Sequence, residues 1–124
     1  MHSIRLHGPW SLRIEQGPDV RVDVPAELTP KVASGETVQL QRRFNCPTGL
    51  VASDRVRIEL AYTGELLDFT CNGHFVDVET SQDEPLAVDV GPLLKPGNEL
   101  TLTIRRSGDE ELTLASCVLV IESC

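Results

Sequence analysis

From Trp10 to Glu122 the chain repeats one pattern: short runs in which apolar and polar residues alternate, with no stretch that holds a helical apolar period for three turns. Alternation of period two sends successive side chains to opposite faces of an extended backbone, so these runs predict half-buried β-strands. The predicted strands are Trp10–Glu15, Val20–Val24, Thr37–Phe44, Arg55–Thr63, Leu66–Cys71, Phe75–Val78, Leu86–Val90, Glu99–Arg106 and Leu112–Glu122. Between them lie turn formers such as Glu15-Gln16-Gly17-Pro18-Asp19, Ala33-Ser34-Gly35-Glu36, Lys95-Pro96-Gly97-Asn98 and Ser107-Gly108-Asp109. The sharpest is Asn72-Gly73, the pair that a two-residue type I′ hairpin demands because both central residues need positive φ. The expectation is an all-β fold, a two-layer antiparallel sandwich.

Parity indicates the buried faces. Val56, Ile58, Leu60 and Tyr62 alternate with Arg55, Arg57 and Glu59, and Leu100, Leu102 and Ile104 alternate with Thr101, Thr103 and Arg105. Each set predicts a strand with one core face and one solvated face. Cys117-Val118-Leu119-Val120-Ile121 departs from this, being apolar on both parities. Such a strand is either central and covered on both sides, or has its outer face buried by the N-terminal segment or by a second molecule; cover within the chain is the preferred reading. Arg42 shares the parity of Val38, Leu40 and Phe44, so its guanidinium must find a carboxylate or carbonyl partner. An edge position or a structural ion pair is the expected solution, and a ligand-clamping arginine the alternative.

A chain of 124 residues suffices for one domain, taken as residues 1–124. Its formal net charge of −8 argues against tracking phosphates, so no nucleic-acid partner is expected. The densest basic pairs, Arg42-Arg43 and Arg105-Arg106, sit in strand patterns whose neighbours face opposite ways, and neither makes a focused patch by itself. The opening residues MHSIRLHGPW lack the apolar core of a secretory signal, and no run of about 18 apolar residues is present to span a membrane. The expected protein is soluble and cytoplasmic, with no membrane partner. Cys46, Cys71, Cys117 and Cys124 show no C-x-x-C pair and no zinc spacing. Cys71 and Cys117 read as small buried hydrophobes, with a disulfide among the four as the alternative.

Several pieces in order carry a resemblance: Gly8-Pro9-Trp10; Val24-Pro25; Leu40-Gln41-Arg42-Arg43-Phe44 followed by Pro47; Val56–Thr63 into Gly64; Asn72-Gly73-His74-Phe75-Val76; and Leu86–Val90 leading to Leu93-Leu94-Lys95-Pro96-Gly97-Asn98-Glu99-Leu100. Over about residues 8–106 they resemble the sugar-binding domain of glycoside hydrolase family 2, the galactose-binding-like jelly roll at the N-terminus of β-galactosidases and β-glucuronidases. The resemblance implies a jelly-roll sandwich, a turn at Gly97-Asn98 leading into another strand, and a short helical turn near Gly91–Leu94, with Pro92 at a first helical position. In that family the catalytic carboxylates belong to a separate barrel domain, for which this length leaves no room. Residues 107–124 also lack the aromatic and Gly-rich segment of the family, so its substrate contacts cannot be placed here.

Glycoside hydrolysis needs two facing carboxylates, and Asp68, Asp77, Glu79, Asp83, Glu84 and Asp89 are the candidates, each read as solvated charge. His74 reads as an exposed residue flanking the turn, and Trp10 and Tyr62 as packing residues rather than a sugar platform. Ser81-Gln82-Asp83-Glu84 lacks the spaced oxygen ligands of a calcium loop. The expectation is therefore no enzyme, no catalytic residue, no cofactor and no metal. What remains is a non-catalytic binding or interaction module with carbohydrate as its candidate ligand and no assigned binding residues. The alternative is a scaffold that forms a homodimer or joins a partner protein through an apolar sheet face.

Overall fold

The computed structural model describes residues 2–51, 53–76 and 86–122. Its strands are β1 (His2–Arg5), β2 (Trp10–Ile14), β3 (Val20–Val22), β4 (Ala26–Glu27), β5 (Thr37–Asn45), β6 (Arg55–Tyr62), β7 (Glu65–Cys71), β8 (His74–Phe75), β9 (Leu86–Asp89), β10 (Gly97–Arg105) and β11 (Thr113–Glu122). They form two antiparallel sheets. One runs β1-β11-β6-β9 with β4 also paired to β11, and the other runs β3-β2-β5-β10-β7-β8. The result is a jelly-roll-like β-sandwich, as the alternation predicts. Every predicted strand is present within a few residues, although residues 77 and 78 of the predicted Phe75–Val78 lie outside the described residues. The short β1 and β4 are additions. Neither carries an alternating run, and each exists because the long β11 offers its backbone hydrogen bonds to them.

The two inner faces interleave in one core. Trp10, Leu12, Leu40, Phe69, Leu100, Leu102 and Ile104 come from the six-stranded sheet, and Ile58, Leu60, Leu114 and Leu119 from the five-stranded one, all fully buried. Each such side chain contributes about 1.5–3 kcal/mol relative to exposure, which is why the alternating runs outweigh the weak local preferences between them. The predicted inward sets hold: Val56, Ile58 and Leu60 are buried and Tyr62 packs against the core.

The doubly apolar segment proves to be the centre of its sheet, with β11 flanked by β1 and β4 on one side and β6 on the other. Cys117, Leu119 and Ile121 face the core, while Val120 points outward yet is only 4% exposed. Opposite Val120 in register stands Arg57, whose guanidinium bonds Glu59 at 2.8 Å and Glu122 at 3.0 Å. Val120 is buried with this chain alone, so the cover comes from within the chain. The N-terminal segment does not lie over this face. It extends the sheet as an edge strand.

Asn72 and Gly73 have φ of 55° and 81°, the left-handed pair of a type I′ turn. Gly97 and Asn98, predicted as a turn, instead begin β10, and a 3-10 turn at Gly91–Leu93 containing Pro92 precedes them. Asn98 is the one buried polar side chain among the described residues, and it holds this corner together. Its Oδ1 accepts from Lys95 N–H at 2.8 Å and from Asn72 Nδ2 at 2.9 Å, while its Nδ2 donates to the Lys95 carbonyl at 2.8 Å.

Candidate functional site

The outer face of the six-stranded sheet is built from the outward parity of its strands. Registers align one residue from each strand in a row: Arg21 on β3, Ser11 on β2, Gln41 on β5, Thr101 on β10, Thr70 on β7 and Phe75 on β8. At a strand spacing of about 4.8 Å the row is about 24 Å long. A second row beside it reads Arg13, Gln39, Thr103 and Asp68. Ser11, Gln41, Thr101 and Thr70 make no side-chain hydrogen bond to any described residue, so their donors and acceptors face outward unspent.

Phe75 ends the row with 76% of its surface exposed. A two-residue turn forces 70 opposite 75, and Thr70 faces out because Phe69 and Cys71 face the core; Phe75 must then face out too. This signal lay in the sequence, yet Phe75 was not singled out there as a platform. The two aromatics that were weighed are indeed packing residues. Trp10 is 1% exposed and donates its indole N–H to the Leu6 carbonyl at 2.9 Å, and burial against the core raises the Tyr62 hydroxyl above its ordinary pKa.

At the Arg21 end the face deepens into a groove of about 520 Å³, lined among others by Ser11, Arg21, Gln41, Arg42, Arg43 and Glu99. Asp19 also borders it, but is held by Arg13 through bonds of 2.9 and 3.1 Å, which raise the arginine above its ordinary pKa. Arg43 meets Glu99 across β10 at 3.4 Å with its own side chain 88% exposed, a loose pair. Arg42 finds carbonyls rather than a carboxylate: Nη1 donates to Arg43 O at 2.6 Å and Nη2 to Gly8 O at 3.3 Å. Its Nε is buried without a partner. The charge also reaches the interlayer space, where it opposes the burial that pushes the Cys117 thiol up to about 12. Thus Arg42 and Arg43, although of opposite parity, line one groove together with Arg21.

The two candidate carboxylates among the described residues, Asp68 and Asp89, do not converge. Asp68 lies on the outer face of the six-stranded sheet, whereas Asp89 lies on the other sheet, accepting from Gly91 N–H at 3.0 Å. Asp77, Glu79, Asp83 and Glu84, and with them Ser81-Gln82, fall outside the described residues. His74 is exposed beside the turn, as expected. Cys71 and Cys117 are buried free thiols, Cys46 is a half-buried one, and Cys124 is outside the described residues. No helix is long and apolar enough to cross a membrane among the described residues, and no three metal-binding side chains there gather into a site.

No protein-family model matches the chain, and no curated protein matches it. Solved structures do. An FMN-binding β-glucuronidase from Faecalibacterium prausnitzii L2-6 is similar over 98% of this chain and 22% of its own, with a TM-score of 0.78 at 19% identity. A glycosyl hydrolase family 2 member from Bacteroides cellulosilyticus is similar over 99% of this chain and 21% of its own, with a TM-score of 0.79 at 10% identity. A β-D-mannosidase from Dictyoglomus thermophilum is similar over 85% of this chain and 16% of its own, with a TM-score of 0.69 at 16% identity. At such identities the likeness is one of fold. The chain has the β-sandwich fold of one domain-sized part of family 2 glycoside hydrolases and spans about a fifth of their length.

Proposed function

We propose that the chain is a non-catalytic recognition module that binds carbohydrate across the outer face of its six-stranded sheet. The observation that carries this reading is the row of unspent hydroxyl and amide groups running from Arg21 to the exposed ring of Phe75. Sugars present hydroxyls at the ring edge and C–H bonds on the ring face, so they suit a surface combining planar polar groups with an exposed aromatic. A row about 24 Å long favours an extended oligosaccharide over a small enclosed ligand. The shared fold with carbohydrate-active enzymes supports the same reading. Catalysis needs two carboxylates about 5–9 Å apart, and Asp68 and Asp89 stand on different sheets.

An oligosaccharide array followed by calorimetry tests the proposal. Binding that falls at least about tenfold in Phe75→Ala, with no turnover of aryl glycosides, is the expected result. Absence of binding across the array, or turnover by the purified chain, would refute it. The second reading, a scaffold that joins copies or a partner protein, is favoured by Phe75 and Leu67 both being exposed on the last two strands at one end of the sheet. Light scattering separates the two: a Phe75-dependent dimer with no glycan binding supports the scaffold.

A further inference from the structure

We infer that the groove at the β3–β2–β5 end of the face is a subsite for a carboxylate, so that the glycan is an acidic one carrying uronic acid units; this rests on the carbohydrate reading above. The charge distribution singles the groove out. The chain as a whole carries a net charge of −8, yet three arginines, Arg21, Arg42 and Arg43, are among the residues that line this one depression. Neither Arg21 nor Arg42 has a carboxylate within ion-pair distance among the described residues. Two carboxylates border the groove as well. Asp19 is engaged by Arg13, outside the lining, and Glu99 holds Arg43 only loosely, so the positive sign survives.

The geometry suits a planar oxyanion. Arg21 and Arg43 are two strands apart and displaced by two residues along them, which puts their Cα atoms about 12 Å from each other by strand spacing and rise. Two extended arginine side chains can close that span around one carboxylate and present forked N–H pairs to it. Ser11 and Gln41 lie between them with unspent side-chain donors. Arg42 beneath is clamped on the carbonyls of Gly8 and Arg43, so it contributes a fixed positive charge without having to move. Glu99 is the internal competitor: it occupies Arg43 until an external carboxylate takes its place.

The test is calorimetry on pentasaccharides in matched neutral and uronate pairs (glucose and glucuronate, galactose and galacturonate, mannose and mannuronate), with sulfated forms of the neutral members. At least one uronate is expected to bind about tenfold or more tighter than its neutral counterpart at low salt, with the difference collapsing near 0.5 M salt. Arg21→Ala with Arg43→Ala should erase that difference, and both sites are exposed enough for the fold to survive, checked by Trp10 fluorescence. Glu99→Gln should tighten uronate binding several-fold and widen the uronate-over-neutral ratio, a gain that a structural role for Glu99 would not produce. Equal affinity for both members of every pair, with sensitivity to Phe75→Ala retained, overturns the carboxylate subsite and leaves the carbohydrate reading standing. Preference for the sulfated forms alone overturns the uronate assignment. No binding by any pentasaccharide overturns both readings.

Discussion

Replacing Asn98 by alanine removes the side chain that ties the end of β10 to the Asn72-Gly73 hairpin and to the segment before it. Three of its bonds, at 2.8, 2.8 and 2.9 Å, have good geometry, and the residue is 4% exposed. A typical net value of about 1 kcal/mol per hydrogen bond gives a loss of about 3 kcal/mol, more if the Lys95 N–H and carbonyl are left without water. Against the 5–15 kcal/mol of an ordinary domain this is a large fraction. Urea unfolding followed through Trp10, the single tryptophan and 1% exposed, reads it directly. With a slope of about 1.5 kcal/mol per molar, the midpoint falls by about 2 M. Asn72→Gly keeps the positive φ while deleting the partner amide, and the double variant should show a coupling of about 1 kcal/mol. A loss below about 1 kcal/mol for Asn98→Ala, with no coupling to Asn72, would refute the view that this amide pair organises the corner.

Four further outcomes follow from the same structure. Gly64 has φ of 106°, and an added Cβ would stand 2.5 Å from Leu112 Cδ1 and 2.9 Å from Ile104 Cγ2; Gly64→Ala should cost about 2–5 kcal/mol, measured by urea unfolding. Gly49→Ala, also at positive φ but with open space around it, should cost only the backbone share, about 1 kcal/mol, and is the control. Native protein titrated with a thiol reagent should react quickly at Cys46 and at Cys71 and Cys117 only on unfolding; quick reaction at Cys117 would contradict its burial. Above its ordinary value of 9.0 the Cys117 thiol ionises in the unfolded chain but stays protonated in the fold up to about 12. Stability is thus unaffected by this group below pH 9 and falls with rising pH between those values, by about 1.4 kcal/mol per pH unit, and Cys117→Val should flatten that slope. Arg42→Met removes a partly buried charge with an unpartnered Nε and two carbonyl bonds, and should change stability by less than about 1 kcal/mol; a loss above about 2 kcal/mol would show that the carbonyl clamp outweighs desolvation.

The strands and their buried faces were legible because period two is a local code. Val56, Ile58 and Leu60, or Leu100, Leu102 and Ile104, declare an inner face without reference to any partner. The Asn72-Gly73 turn was legible for the same reason, since positive φ at two successive residues restricts what can stand there. Pairing order was not. Nothing local says that β11 lies between β1 and β6, or that Arg57 comes to stand opposite Val120 in register.

The candidate surface divides in the same way. The sequence alone determined that Ser11, Gln41, Thr101 and Thr70 take the outward parity of their strands, and the hairpin register made Phe75 face out with Thr70. Only the tertiary structure put those residues in one row, because strand order and register depend on pairings between residues 30 to 60 positions apart. It also gathered Arg21, Arg42 and Arg43 around one groove, although parity sends the last two to opposite faces of their strand. Parity fixes only where an arginine's Cβ points, and where its charge ends up depends on which carbonyls and open space the neighbouring strands supply.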